Sequence, residues 1–396
     1  MKIGILTFHS QTNYGGVLQT YAMQTALEEM GHEAVVLDRW ISENNHPLQS
    51  FFSLKLSEQI IMALHCIAGT GMFANLLRCR RTRNFIASYL QLSHFHFREW
   101  SDLPAESYCD LDCILVGSDQ VWHIFGGKFP GVYFLENMSG VPAISYAASI
   151  GMKEIPASFH KRVLADLKKF HALSVREKTA QQLLFSLGLD VEHVVDPTLL
   201  ASESIWQFFS GRKSRKRLFC YFMEDDLLDI YPVLSNYATE SGSIVDIFLN
   251  EPYVVRFPNS LDRIRKLLKY GGLRFFGNKR VRLHNDAGPA EFVYYASLAT
   301  DAVSDSFHAL MFSIIFDLNI RILRPEKEVR IFMFSRIEEF SECVAQGTLI
   351  SDGLQAALHS ILHDPPVIFD SKKIEEKRKH SSAWLQNVLG SLHAGI

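Results

Sequence analysis

The feature that most constrains this chain is an alternation: short apolar runs end in small or polar loops, and helical patterns follow at once, in both halves of the sequence. The first instance is "GILTFHSQTNYGGVLQTYAMQTALEEMGHEAVVLDRW". Lys2 to Phe8 reads as a buried strand, Val17 to Met30 as a helix closed by Gly31, and Ala34 to Leu37 as the next strand. Leu18, Ala22 and Ala26 lie along one line of that helix, and Met23, Leu27 and Met30 along another. A helix apolar on more than one side is expected between layers, not on a surface. Parallel strands need long crossovers, usually helical, so repeated alternation of this kind implies parallel sheets.

The first series continues with strands at Cys113 to Val116, in "PAISYAASIG", and at His171 to Val175, then a helix from Lys178 to Leu187 and a short strand, Val194 and Val195, running into Asp196-Pro197. A polar connection from Glu43 to Ser50 and a helical region from about Leu54 to Leu90 interrupt it. A second series follows: "RLFCYFM", "SIVDIFL" and "GLRFFG" as strands, "AEFVYYASLA" as a helix, "AVSD" as a strand, "SFHALMFSIIFDL" as an apolar helix and "IRILRP" as a closing strand. The predicted fold is α/β, with two Rossmann-like domains facing a cleft. Residues 1–195 form the N-terminal domain and 196–369 the C-terminal one, with the join near Glu192 to Ser204. Residues 370–396 form a polar helix that returns to the first domain.

Charge excludes one class of partner. The 396 residues include 40 basic and 43 acidic side chains, a formal net charge of -3, so there is no electrostatic footprint for nucleic acid. The densest basic run, Arg78 to Arg83, reads as a solvated helix face, with a lipid headgroup or a polysaccharide carboxylate as the alternative contact. Six scattered cysteines and a strand pattern directly after Lys2 lead to the expectation of a reduced, cytoplasmic protein. Cys109 and Cys113 are the one close pair, and nothing completes a zinc site around them. The apolar patch from Ile60 to Ile67 is too short for a membrane span and is expected to pack inside, with an interfacial helix as the alternative.

Four segments fall at predicted strand ends or helix starts, where open α/β sheets bind ligands: Thr12 to Gly16, Gly117 to Trp122, Ser174 to Lys178, and Asp305 to His308. The first is neither a dinucleotide fingerprint nor a phosphate-cradling loop. It offers Ser10, Gln11, Thr12, Asn13 and Tyr14, neutral donors and acceptors that suit sugar hydroxyls; a glycine turn with ordinary capping residues is the plainer alternative. His308 stands in the first turn of a buried helix, with Asp305 or Ser306 as cap. A helix N-terminus disfavours imidazolium, whereas an anion bound there would favour it, so His308 fits a general acid charged mainly when substrate is present. A structural core histidine is the alternative. Arg176 can grip a carboxylate or phosphate with both arms, or pair with Glu177. Asp119 and Trp122 have the chemistry of carbohydrate readers, although Trp122 also fits an ordinary core position.

The strings "NYGGVLQTYA", "LVGSDQVW", "SYAASIG", "SVREK", "VVDPTLL", "GPAEFVYYASLA", "SDSFHALMFSIIF" and "SRIEEF" occur in this order from near Lys2 to about Phe340. Together they resemble the polysaccharide pyruvyl transferase family. That resemblance implies a GT-B-like fold, phosphoenolpyruvate as donor and a sugar of a glycan or its precursor as acceptor. It makes Arg176 the anion-binding arginine and His308 the proton donor. Where some members have Arg-x-His, this chain has Ser306-Phe307-His308, so one phosphate contact is missing. Ser306 and the helix amides are expected to replace it in part, with Lys178, Arg324 or Arg336 as further cations. The acceptor side is assigned to Asn13, Tyr14, Gly15, Ser118, Asp119, Gln120 and Trp122. No cofactor and no metal is expected; a lipid-linked acceptor and peripheral membrane association stay open. Two other readings are a GT-B glycosyltransferase holding a nucleotide sugar near Gly288, Pro289 and Glu291, and a catalytically silent glycan-binding protein.

Overall fold

A computed structural model of the chain describes residues 1–10, 12–39, 72–97, 103, 105–138, 140–214, 216–223, 227–250, 269, 273, 276–325, 328–347 and 349–394. The connection from Glu43 to Ser50, the patch from Ile60 to Ile67, and the predicted helical region before residue 72 lie outside the described residues.

The first sheet contains β1 (Lys2–Leu6), β2 (Glu33–Arg39), β3 (Leu92–Phe97), β4 (Cys113–Val116) and β5 (Ala143–Ser145), all parallel, in the order β3-β2-β1-β4-β5. A short parallel pair, β6 (Ser174–Val175) and β7 (Glu192–His193), continues that edge through bridges from Ile144 to Ala172 and from Ala148 to Val175. The second sheet contains β8 (Arg217–Phe222), β9 (Ile244–Leu249), β10 (Val281–Leu283), β11 (Asp301–Ser304), β12 (Asn319–Leu323) and, beyond a separate strand β13 (Ala345–Gln346), β14 (Ile350–Ser351). Its order is β10-β9-β8-β11-β12-β14, again parallel throughout. β13 pairs antiparallel with β15 (Ile368–Phe369). The strand order thus reverses between β1 and β4 in one sheet and between β8 and β11 in the other, and such switch points open crevices at the strand carboxyl ends.

Several expectations shift. Of the described residues of "GLRFFG", Leu273 and Phe276 are helical and Gly277 forms a bend, and the third strand of the second series is Val281–Leu283. That strand is partly exposed, has Arg282 at its centre and follows Lys279 and Arg280, so it lacks an apolar signature. "IRILRP" does not close its sheet, because β14 pairs beyond it. The strand expected at Val194 and Val195 is instead Glu192–His193.

The helix Tyr14–Glu29 starts earlier than its apolar pattern suggests, because Asn13 caps it: the Asn13 side-chain oxygen accepts the Gly16 N–H at 3.3 Å. Its two apolar lines have a physical reason. One core joins β1 and β2 to the helices Pro289–Leu298 and Phe307–Ile315 of the second series, and this helix runs through it. Tyr14 stacks on Phe292 with ring centroids 4.7 Å apart and donates its hydroxyl to the Ala287 carbonyl at 3.1 Å. Such a pair contributes roughly 0.5–1.5 kcal/mol beyond burial.

The basic run corrects another reading. Arg78, on the helix Met72–Tyr89, is buried, not solvated. Its guanidinium donates to the carbonyls of Thr12, Leu249 and Asn250, at 2.7 to 2.8 Å, and lies 4.2 Å from the Tyr14 ring centre. One cation therefore ties the loop after β1 to the end of β9. The C-terminal helix Ser371–Ala394 packs its Trp384 near Tyr146, accepts the Val195 N–H on Ser381, and brings Ser391 to 3.0 Å from His171. No described helix is long and apolar enough to cross a membrane.

Candidate active site

A cleft opens where the two switch points face one another. Asn13, after β1, and Asp119 and Gln120, after β4, line one wall. Met223, after β8, and the segment from Asp305 to His308, after β11, line the other, together with Phe334, Arg336 and Ile337 from the helix Glu328–Val344. Within each sheet the loops end strands beside a reversal of strand order, and packing of the two sheets around one core brings them face to face.

His308 sits in the first turn of the helix Phe307–Ile315, 6% exposed, on the floor of the cleft. A Cβ on Gly15 would lie 2.1 Å from its Nδ1, so the glycine of the first domain is the space the imidazole of the second occupies. His308 Nε2 has no hydrogen-bond partner and faces Asp196 Oδ2 at 4.0 Å. Burial, reinforced by the charges of Arg176 and Arg336, pushes the imidazole down to about 4 against the opposing pull of Asp196 and Asp119. The resting ring is neutral. The sequence suggested the same state from the helix terminus; desolvation is the larger cause.

Beneath the histidine lies a buried ionic network in which, of the Arg176 guanidinium, Nε alone has no hydrogen-bond partner and stands 3.8 Å from Glu177 Oε2. Arg176 Nη1 donates to Asp196 Oδ2 at 2.8 Å and Nη2 to Asp119 Oδ1 at 3.2 Å, and its side chain has no solvent exposure. Burial opposes its charge, but Asp119, Asp196 and Glu177 outweigh that and raise its pKa. Asp196 also accepts from the Thr198 amide and hydroxyl and the Ser118 hydroxyl. Burial again opposes the charge, and His308 when protonated, Arg176 and Thr198 together hold the carboxyl below its usual range. Both arms of the Arg176 fork, expected to grip a substrate anion, hold the carboxylates of Asp196 and Asp119 in this structure.

Arg336 contrasts with it. Its guanidinium lies 5.3 Å from the Phe307 ring centre, while that of Arg176 lies 4.9 Å from the same centre. Arg336 Nε and Nη1 are buried without a hydrogen-bond partner. Burial first, then the nearby Arg176 charge, push the group down to about 10, so it remains cationic at neutral pH. Buried N–H groups without partners are costly unless a ligand satisfies them.

The remaining candidates divide cleanly. Asn13, Asp119, Gln120, Ser306, His308 and Arg336 reach the cleft, and Gln120 Nε2 is another buried donor without a partner. Tyr14 does not, being buried against Phe292. Ser118 is buried and donates to Asp196 at 3.1 Å. Trp122 is 1% exposed, stacks on Phe134 and donates its indole N–H to the Tyr133 carbonyl, so it is a core residue and not a sugar platform. Lys178 is exposed and outside the cleft, and Arg324 pairs with Glu338 and Asp352. Ser306 is the N-cap residue but makes no side-chain cap bond, and Asp305 accepts the Met223 N–H instead. Sequence reasoning missed Asp196 as a site residue; its signal was the Asp-Pro pair closing "VVDPTLL". Among the described residues, no group of three His, Cys, Asp or Glu side chains is placed to hold a metal ion.

Two parallel sheets of Rossmann-like order, meeting at a cleft between their switch points, define a GT-B-like α/β protein. Solved structures agree. The UDP-GlcNAc 2-epimerase from Methanocaldococcus jannaschii superposes with a TM-score of 0.51 at 12% identity, over 99% of this chain and 100% of that one. The same enzyme in complex with UDP-GlcNAc and UDP gives 0.52 at 13% identity, over 99% and 100%. Another UDP-N-acetylglucosamine 2-epimerase gives 0.50 at 11%, over 100% and 96%. No curated protein matches the sequence. The pattern of the family described as Polysaccharide pyruvyl transferase matches residues 13–318, and the chain belongs to that family.

Proposed function

We propose that this protein transfers the enolpyruvyl carbons of phosphoenolpyruvate to two hydroxyls of a sugar in a polysaccharide or its precursor, forming a pyruvate ketal and releasing phosphate. The observation that carries the reading is the pairing, on one cleft wall, of an Arg336 cation with two unsatisfied buried N–H groups and a neutral, buried His308 at a helix N-terminus. The donor anion lies against Arg336, Ser306 and the first amides of the helix Phe307–Ile315. Its charge raises the His308 pKa, and the protonated ring gives its proton to the donor methylene carbon. One sugar hydroxyl then adds to the adjacent carbon. Phosphate leaves from that carbon and a second hydroxyl closes the ketal; of the two hydroxyl protons, one restores His308 and one departs with phosphate. Asn13, Asp119 and Gln120 on the facing wall hold the acceptor hydroxyls. Asp196 stabilises the imidazolium from 4.0 Å.

A nucleotide-sugar reading has less support. The start of the helix Pro289–Leu298, where a diphosphate would sit, is filled: a Cβ on Gly288 would meet Arg81 at 2.7 Å, and Glu291 accepts the Gly288 N–H and pairs with Arg81. Calorimetric titration separates the readings. Phosphoenolpyruvate is expected to bind and UDP not to bind; the reverse result would sink the proposal. Phosphate release with a saccharide acceptor then tests turnover.

A further inference from the structure

The helix Lys178–Ser186 in the first domain lacks a cap of its own. Glu177 occupies the cap position, yet its carboxylate accepts the Ser149 hydroxyl and the Ile150 and Gly151 amides and makes no cap bond. The first N–H groups of a helix need partners. They find one on a helix of the second domain. Glu339, on the helix Glu328–Val344 of the second domain, accepts the Lys178 N–H on Oε2 at 2.9 Å and has the Thr179 backbone beside it. A carboxylate at a helix N-terminus is favoured by the partial positive charge there.

Glu339 stands three residues beyond Arg336, so the two side chains share one helix face, one turn apart. Between them, the helix also turns Ile337 into the cleft. We propose that Glu339 is a positioning residue: by capping the helix Lys178–Ser186 from the opposite domain, it fixes the turn that carries Arg336 and so couples the cap to binding of the donor anion. This rests on the reading of Arg336 as the donor's cation. Loss of the cap frees the turn that carries Arg336; a bound anion, held by Arg336, orders that turn and keeps the cap formed. The Glu338 side chain is engaged with Arg324 and does not duplicate the contact.

The test combines amide exchange with donor calorimetry on the full chain and its Glu339→Ala, Glu339→Gln and Arg336→Met variants. Exchange at Lys178 and Thr179 should quicken about fivefold or more in Glu339→Ala, as expected for a lost N-cap, and be largely restored in Glu339→Gln, which keeps an acceptor oxygen. Phosphoenolpyruvate should slow exchange at those amides in the wild type, although it does not touch them, and should not do so in Arg336→Met. Its affinity should fall about five- to tenfold in Glu339→Ala. Wild-type affinity in Glu339→Ala, with exchange quickened, would overturn the coupling while leaving the pyruvyl transfer reading intact. Absence of phosphoenolpyruvate binding to the wild type would overturn that reading and the coupling with it, while unchanged exchange in Glu339→Ala would overturn the cap itself.

Discussion

The two walls of the cleft each hold an arginine against the same Phe307 ring, yet the two are chemically different objects. Arg176, rooted after β6 in the first domain, has Asp196 and Asp119 on its two arms and no exposure. Arg336, on a helix of the second domain, reaches the cleft with two buried N–H groups that have no hydrogen-bond partner. A guanidinium already matched to carboxylates organises a site, whereas one left unmatched at its edge is available to bind an anion. The difference lies in what the neighbouring strand ends contribute: the first wall supplies carboxylates through Asp119 and Asp196, and the turn around Arg336 supplies aromatic and aliphatic side chains, Phe307, Phe334 and Ile337.

The largest expected effect breaks the comparison directly. Arg176→Met removes one member of a buried ionic network and strands Asp196 and Asp119, so unfolding free energy should fall by about 3–5 kcal/mol. Arg336→Met removes a buried charge with two unsatisfied N–H groups and should leave stability within about 1 kcal/mol of wild type, since the desolvation relieved offsets the attraction lost. Urea unfolding measures both. Equal losses would mean that Arg336 has an internal role like that of Arg176.

The next effect concerns the group both arginines flank. His308→Asn keeps a polar side chain but cannot deliver a proton near neutral pH, so turnover should fall by about 10²-fold or more, with phosphoenolpyruvate affinity little changed. The basic limb of the wild-type pH profile should disappear with it, because a proton donor is lost as pH rises. A stable variant with near-normal turnover would remove His308 from the chemistry.

The smallest effect is read from pH. The folded His308 pKa of about 4 lies below the ordinary 6.5, so the fold favours the neutral ring. Its contribution is complete above 6.5 and is lost as pH falls toward 4. The cost at pH 5 is on the order of 1–2 kcal/mol. His193, also held near 4 by burial, adds a slope of the same sign. His308→Asn should flatten the slope without abolishing it. Because the donor anion raises the His308 pKa, binding near pH 6 should take up a proton, visible as a buffer-dependent heat; a buffer-independent heat would dissociate His308 from the donor.

How much of this was legible beforehand varies by residue. His308 and Asp119 were singled out from strand-end positions, and both reach the cleft. Trp122 occupied an equally suggestive position in "GSDQVW" and lies in the core, because the chain turns inward after Gln120 and covers the indole with Tyr133 and Phe134. Arg176 has the residue type and place of an anion grip, but whether its fork is vacant depends on Asp196, twenty positions on, and Asp119, fifty-seven positions back.

The sequence by itself determined the alternation of strands and helices, the doubling of that series, and the presence of glycines and polar residues where strands end. These follow from local periodicity and turn chemistry, which act over a few residues. Only the tertiary structure decided which strand ends face each other and which cations remain unpartnered. Gly15 has to be small because of an imidazole nearly three hundred positions away, and a helix of one domain is capped by Glu339 of the other. Such relations are fixed by the packing of two sheets around a shared core, and hydrogen-bond satisfaction is settled only when every donor has met its nearest acceptor in three dimensions.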